Sequence, residues 1–352
     1  MKVLVTGHRG YLGAVVVPVL LESGYDVSGY DLDYFGHCTY SHGGPYRAVP
    51  TIQKDIRDAV PEDFEGFEAV IHLAALPDAA GQIDSNTLNE VNHKASVRVA
   101  LAARQAGVSR FLFASSASVY GQGGEEPLDE TGPLNPQTIY AMTKVMAERD
   151  VAGLATGNFS PTFLRLAVLC GLSPRLRLDL MFNRLMALAF TEHRIRLPVR
   201  GDAWRAFIHV QDVARALAAL LREQRPPVHN QVFNVGSSAN NHRVRDLATI
   251  VSRLVPESRF EQNPVTELRR ESFRLNCDKL ARTIPAAVPQ WTLARTGEQL
   301  LEAFDASSLT VEEAARSRYD RVAELATLVA DKVLNADLRR PGGLNEGPYG
   351  AT

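Results

Sequence analysis

Met1-Lys2-Val3-Leu4-Val5-Thr6-Gly7-His8-Arg9-Gly10-Tyr11-Leu12-Gly13 is the stretch that decides the fold. A short apolar run ends at Thr6, glycines follow at 7, 10 and 13, and an apolar helical pattern then begins. That order spells a buried strand, a tight turn and a helix whose first N–H groups lack partners within the helix. Such groups, at the positive end of the helix dipole, suit a pyrophosphate. One glycine makes the turn, one admits a ligand against the backbone, and one lets helix and strand pack closely. Glycine spacing alone is a weak signal; the strand before it and the helix after it give it weight.

Outward from this turn, short β-rich runs alternate with helical stretches. Val3–Thr6, Asp26–Tyr30, Ala69–Leu73, Arg110–Ser115 and Thr162–Leu166 read as strands, with helices over Leu12–Ser23, Asn89–Gly107 and Tyr140–Ala155. Strands joined by crossover helices predict an α/β fold, a Rossmann-type doubly wound parallel sheet. After residue 167 the pattern changes. Pro- and Arg-rich loops appear, then helices near Asp179–Phe190, Asp246–Leu254 and Val311–Leu334, while Val232–Val235 reads as a further strand of the main sheet. The expected organisation is a dinucleotide-binding domain over 1–167 with a returning segment at about 205–236. A smaller interleaved C-terminal substrate domain takes 168–204 and 237–340, and 341–352, rich in glycine and proline, is expected to be a loose tail.

Bulk properties narrow the class. A chain of 352 residues can bury a large core. A formal charge of −2, with acids and bases well mixed, gives no electrostatic footprint for nucleic acid or an anionic membrane. Cys38, Cys170 and Cys277 stand far apart, without metal-ligand spacing, so neither a metal site nor a disulfide framework is expected. No apolar stretch approaches the ~20 residues of a membrane span, and the first strand begins at residue 2, which leaves no room for a signal peptide. The expectation is a soluble cytoplasmic enzyme.

Asp31 closes the second strand, where a carboxylate accepts both hydroxyls of an adenosine ribose and repels a 2′-phosphate. NAD is therefore expected over NADP, and Asp33 faces the same side. The Asp55-Ile56-Arg57-Asp58 loop stands where such a fold reaches the adenine. Val70-Ile71-His72-Leu73-Ala74-Ala75 ends in small residues that let a cofactor lie against the backbone, with His72 read as a packed residue. Hydroxyls cluster in Ser115-Ser116-Ala117-Ser118 at a strand end, a pattern that caps and turns also produce. Tyr140 and Lys144, four apart, share a helix face. A phenol ionises near ~10, too high for a general base at neutral pH; a neighbouring ammonium and a cationic nicotinamide both lower it.

With these motifs on view, the chain resembles the extended short-chain dehydrogenase/reductase superfamily, specifically its NAD-dependent nucleotide-sugar epimerase/dehydratase family. The resemblance rests on TGHRGYLG, Asp31, DIRD, VIHLAA, SSASVYG and YAMTK, continues through LRLAVLCGLSPR and RAFIHVQDVARAL, and covers about residues 1–300. It implies Ser116, Tyr140 and Lys144 as the catalytic set. It implies cofactor contacts from Gly7, Arg9, Gly10, Tyr11, Leu12, Gly13, Asp31, Asp55, Ile56, Leu73, Ala74, Ala75, Asn92 and Ser115, with Tyr140 and Lys144. Ser116, Ser118, Asn183, Arg205 and Arg274 are the implied substrate contacts, with Arg205 on the diphosphate, and Arg175 and Arg177 stand in a loop that frames the substrate.

Three positions depart from the family's pattern. Ala117 and Ser118 replace the Asp-Glu pair usual in dehydratases, Ser118 also stands where the decarboxylating branch carries glutamate, and Val168 replaces a diphosphate-binding asparagine. The resemblance thus implies an NAD-dependent nucleotide-sugar epimerase acting at C4 through a 4-keto intermediate. The alternatives are a reductase of a keto-sugar or another carbonyl compound, and a cofactor-sensing protein without catalysis. Resembling proteins pair the helices near 89–107 and 140–155 across a homodimer.

Overall fold

The computed structural model describes residues 1–77, 81–197, 201–261 and 271–341. Beyond Pro341 the expected tail lies outside the described residues. The first half runs β1 (Lys2–Thr6), α1 (Gly13–Glu22), β2 (Asp26–Tyr30), β3 (Thr51–Ile52), β4 (Ala69–His72), α2 (Ser85–Asn89), α3 (Ser96–Gln105), β5 (Arg110–Ser116), α4 (Ile139–Ala152) and β6 (Ser160–Leu166). The second half runs β7 (Val168–Cys170), α5 (Met181–Glu192), β8 (Arg194–Arg196), β9 (Trp204–His209), α6 (Val210–Arg222) and β10 (Gln231–Val235). It ends with β11 (Asn241–Arg243), α7 (Val244–Leu254), β12 (Arg259–Glu261), α8 (Asp278–Thr283), α9 (Leu293–Ala306), α10 (Val311–Ala314) and α11 (Arg321–Ala330).

Seven strands form one sheet in the order β10-β6-β5-β4-β1-β2-β3, and every pairing in it is parallel. Parallel strands are covered on both faces, so their sequences are apolar throughout rather than alternating. Val3, Leu4 and Val5 of β1 are all fully buried. One face packs Val16 and Leu20 of α1 against Val213 and Leu217 of α6; the other packs Val99 and Ala103 of α3 and Val151 of α4 against Val70, Phe111 and Phe163. From β1 the chain steps to β2 on one side, whereas β4 lies on the other. Thr6 is level with both Tyr30 and His72. That reversal opens a crevice past the carboxyl ends of β1 and β4, the place where ligands bind such sheets.

A separate core around Phe182, Met186, Leu247, Val251, Leu300 and Phe304 holds α5, α7 and α9 together. The helix expected over Val311–Leu334 is broken. A 3₁₀ turn at Ser317–Tyr319 intervenes, and the Asp320 carboxylate then starts α11 by accepting from the Val322 and Ala323 amides. Leu325, Leu328, Leu334 and Leu338 consequently pack with Leu4, Tyr30 and Phe64 of the first half rather than with the Phe182 core.

Candidate active site

A cleft of about 600 Å³ lies along the carboxyl edge of the sheet. Its floor is the glycine turn. Gly7 has φ +70°, and a Cβ there would stand 2.7 Å from the Ala74 amide nitrogen. A Cβ on Gly13 would meet the Gly7 carbonyl oxygen at 2.3 Å and His8 Cα at 2.5 Å. Backbone on both sides thus excludes any side chain, and α1 begins at Gly13 with no side-chain cap over its first turn. This bare, positive helix end beside small residues fits a dinucleotide pyrophosphate.

Asp31 stands at the end of β2. Its oxygens accept from the Arg9 amide at 3.0 Å and the Asp33 amide at 2.8 Å, which aims the carboxylate along the cleft edge. Burial raises its carboxyl above the usual carboxylate range, and the two amide donors oppose that. Asp33 is taken by the Arg9 guanidinium at 2.5 Å. Asp55 and Ile56 line the same end, but the Asp55 carboxylate is gripped by the Arg57 amide at 2.8 Å and by its guanidinium at 2.5 Å. Leu73, Ala74 and Ala75 form the wall that follows β4. His72 below them is packed between Thr6 and Ser96 at 2.8 and 2.9 Å, and burial lowers its pKa to about 3.

At the other end β5 runs out into the serine turn. Ser116 Oγ accepts from the Ser118 amide at 3.2 Å and lies 2.9 Å from the Ser118 hydroxyl. Thr138 caps α4 by accepting from the Ala141 amide, so Tyr140 falls in the first turn and Lys144 one turn deeper. Both line the cleft with Ser116. The Lys144 ammonium donates to the Ala114 carbonyl at 2.8 Å and lies 5.7 Å from the Tyr140 ring centre. Lys144 is 3% exposed, and burial lowers its pKa to about 8, with Glu148 pulling the other way. Ser115 turns inward instead and donates to Glu148, which pairs with Arg165 at 2.8 Å.

Of the implied contacts, Arg9, Gly10, Tyr11, Leu12, Ser115, Ser118 and Arg205 also line the cleft. Tyr11 acts as a strut, its hydroxyl donating to the Gly171 carbonyl at 2.7 Å. Arg205 is held by the Trp204 carbonyl at 3.0 Å and the Glu271 carbonyl. Three residues are not brought to the cleft. Asn92, fully buried, brackets Leu76 by accepting from its amide at 2.8 Å and donating to its carbonyl at 3.1 Å. Asn183 accepts from the Gly171 amide at 2.9 Å and donates to the Arg177 carbonyl at 2.9 Å. Arg274 lies over the Trp204 ring and donates to Glu125. The two asparagine amides are occupied in shaping loops.

The sequence reading missed several residues that line the cleft: Lys54, Arg184, Phe273, Arg321 and Leu338 among them. Arg177, which it placed in a framing loop, does line the cleft, paired with Asp179 at 2.5 Å; Arg175 instead donates to Gly36 and Thr39.

A doubly wound sheet with a glycine cradle, an acidic β2 end and a Ser, Tyr and Lys group defines a dinucleotide-dependent enzyme of the short-chain dehydrogenase type. Residues 3–236 match the model of the NAD dependent epimerase/dehydratase family, and the chain belongs to that family. It is 30% identical to UDP-glucose 4-epimerase of Corynebacterium glutamicum over 257 residues, 67% of this chain and 75% of that one. Among solved structures, MoeE5 in complex with UDP-glucose and NAD matches with a TM-score of 0.73 and 26% identity, over 88% of this chain and all of the other. The NDP-hexosamine 5,6-dehydratase TunA shares the fold, with a TM-score of 0.75 at 22% identity, over 87% of this chain and 98% of that one. The enzyme is NAD-dependent.

Proposed function

We propose that this chain interconverts the C4 epimers of a nucleotide sugar. The observation that carries this is Tyr140 stacked one turn from a buried Lys144, with Ser116 facing the same cleft. Bound NAD supplies a hydride acceptor and donor. Gly7 to Gly13 would hold its pyrophosphate, Asp31 its adenosine ribose, and Lys144 its nicotinamide ribose. Tyr140, kept as phenolate by the Lys144 charge, removes the proton from the sugar C4 hydroxyl as the C4 hydrogen leaves with its electron pair. Ser116 hydrogen-bonds the same oxygen and positions it. The 4-keto sugar turns over, the hydrogen returns to its opposite face, and Tyr140 gives back the proton. Nothing is consumed. Arg205, whose fork suits phosphate oxygens, would meet the diphosphate.

Ala117 and Ser118 lack the acid–base pair that elimination needs, which supports epimerisation over dehydration. Val168 lines the cleft where the resemblance expects an asparagine on the diphosphate. That favours one alternative, the one-way reduction of a keto-sugar or other carbonyl compound. The test is a thermal-shift panel of nucleotide sugars followed by turnover without added cofactor. Epimerisation driven by retained NAD supports the proposal; stoichiometric consumption of NADH, or no nucleotide sugar bound, refutes it.

We also infer a homodimer through the helices over 89–107 and 140–155. Met142 on α4, nearly half exposed, supports an apolar face there, and light scattering tests it. No helix among the described residues is long and apolar enough to cross a membrane. Three free, buried cysteines fit the reducing conditions of the cytoplasm.

A further inference from the structure

Past α11 the chain runs back over the adenosine end of the cleft, beyond the residues that the family model covers. The path is tightly turned, with positive φ at Lys332 and Leu338, a conformation uncommon outside glycine. Leu338 is 5% exposed and lines the cleft. Its carbonyl accepts from the Tyr34 hydroxyl and from Arg57 Nη2 at 3.0 Å, while Arg57 Nη1 donates to the Asp337 carbonyl at 2.7 Å. Arg339 pairs with Asp58 at 2.7 Å, and Arg340 donates to the Leu32 carbonyl at 2.8 Å. Every one of these partners sits in the loops after β2 and β3, the two sides of the adenosine end. The upstream half is anchored too: Arg321 donates to the Arg175 carbonyl at 2.8 Å and lies over Phe35, and Glu324 holds His37 at 2.7 Å.

We propose that residues 321–340 are a clamp that closes over the adenosine half of NAD and keeps it from exchanging during turnover. The inference rests on NAD being the group this cleft holds. Tyr34, Phe35, Ile56 and Leu338 give that end apolar walls from two distant parts of the chain, suited to the faces of an adenine. The glycine turn and Asp31 hold the cofactor from one side only; the clamp supplies the other. Retention matters because an epimerase must return its hydride to the molecule that gave it, so a cofactor lost in mid-cycle strands a keto sugar.

The test compares the full chain with a chain ending at Asn335 and with the full-length triple variant Leu338→Ala, Arg339→Ala, Arg340→Ala. Both variants keep α11 and Leu334, and the melting temperature of each separates loss of the clamp from loss of the fold. Bound NAD is measured after gel filtration, and its exchange is followed with isotopically labelled NAD. Exchange on the order of tenfold faster in both variants is expected, since lost contacts show mainly in the off-rate. Retention equal to that of the full chain would overturn the clamp alone. A full chain that neither carries nor takes up NAD would overturn the cofactor reading, and the clamp with it.

Discussion

Lys144 donates to the Ala114 carbonyl at 2.8 Å, tying the helix that carries Tyr140 to the strand that delivers Ser116. The bond fixes the spacing of the proposed catalytic set at the cost of burying a charge. Burial lowers the lysine from 10.5 to about 8, so the charged form is destabilising below about pH 8, and the cost fades as pH rises toward 10.5. At about 1.4 kcal/mol per pKa unit that is roughly 3 kcal/mol at pH 7, of which the lost hydrogen bond returns about 1–2. Lys144→Met is expected to raise stability by about 1–2 kcal/mol at pH 7 and to lower it by up to about 1 kcal/mol at pH 10, where the lost hydrogen bond outweighs the faded cost of burial, while turnover falls at least ~100-fold. Urea unfolding at both pH values measures the first effect; a variant less stable at pH 7 would contradict it.

Gly13→Ala should abolish cofactor retention. The new methyl would stand within 2.6 Å of the Gly7 carbonyl and of His8 backbone atoms, none of which can swing away as a side chain could. The turn must shift, at about 1–3 kcal/mol in stability, and its amides leave the pyrophosphate. Gly24→Ala is the control. It sits in open space at φ +83°, so it should cost about 1 kcal/mol of backbone strain and leave NAD binding as it was. Bound NAD and melting temperature report both; equal NAD content in the two variants would refute the assignment of the turn.

Punctuation explains what was legible in the sequence. Asp26–Tyr30 is a strand with the same bounds in both readings because Gly24 breaks the helix before it and polar Asp31 ends it. The proposed Ser, Tyr and Lys set was legible because two lie at helical spacing and the third ends an apolar run. Asn92 and Asn183 show the limit. An amide serves a loop carbonyl as readily as a ligand, and linear pattern does not reveal which one it faces. The C-terminal wall was invisible for another reason. Arg57 and Leu338 meet across 281 residues, and no local period marks such a contact.

NAD affinity should weaken as the solution is acidified from neutrality. Burial raises the Asp31 carboxyl above its ordinary value, so its charge is lost at a higher pH than that of an exposed aspartate. The ribose hydroxyls donate to the charged form, which means that binding favours deprotonation and releases a proton. Calorimetry in buffers of different ionisation enthalpy, at steps of pH descending from neutrality, should detect that proton, and Asp31→Asn should remove both it and the pH dependence. Proton release that survives Asp31→Asn would place its source elsewhere.

The buried pair of Glu148 and Arg165 offers a way to tune the site from behind. Their oxygen and nitrogen lie 2.8 Å apart with side chains 8% and 6% exposed. Burial alone would lower the arginine, but the Glu148 carboxylate outweighs it and raises its pKa. Glu148→Gln therefore strands a buried guanidinium, at an expected cost of about 3–5 kcal/mol. The same glutamate raises the pKa of Lys144 one turn away, so without its charge the lysine should lose its proton at still lower pH. The alkaline limb of the pH–rate profile should then move below that of the parent enzyme, provided phenolate stabilisation by Lys144 limits turnover. General destabilisation would lower the amount of active protein at every pH without moving the limb. A profile of unchanged shape would show that Glu148 supports the fold and does not tune the lysine.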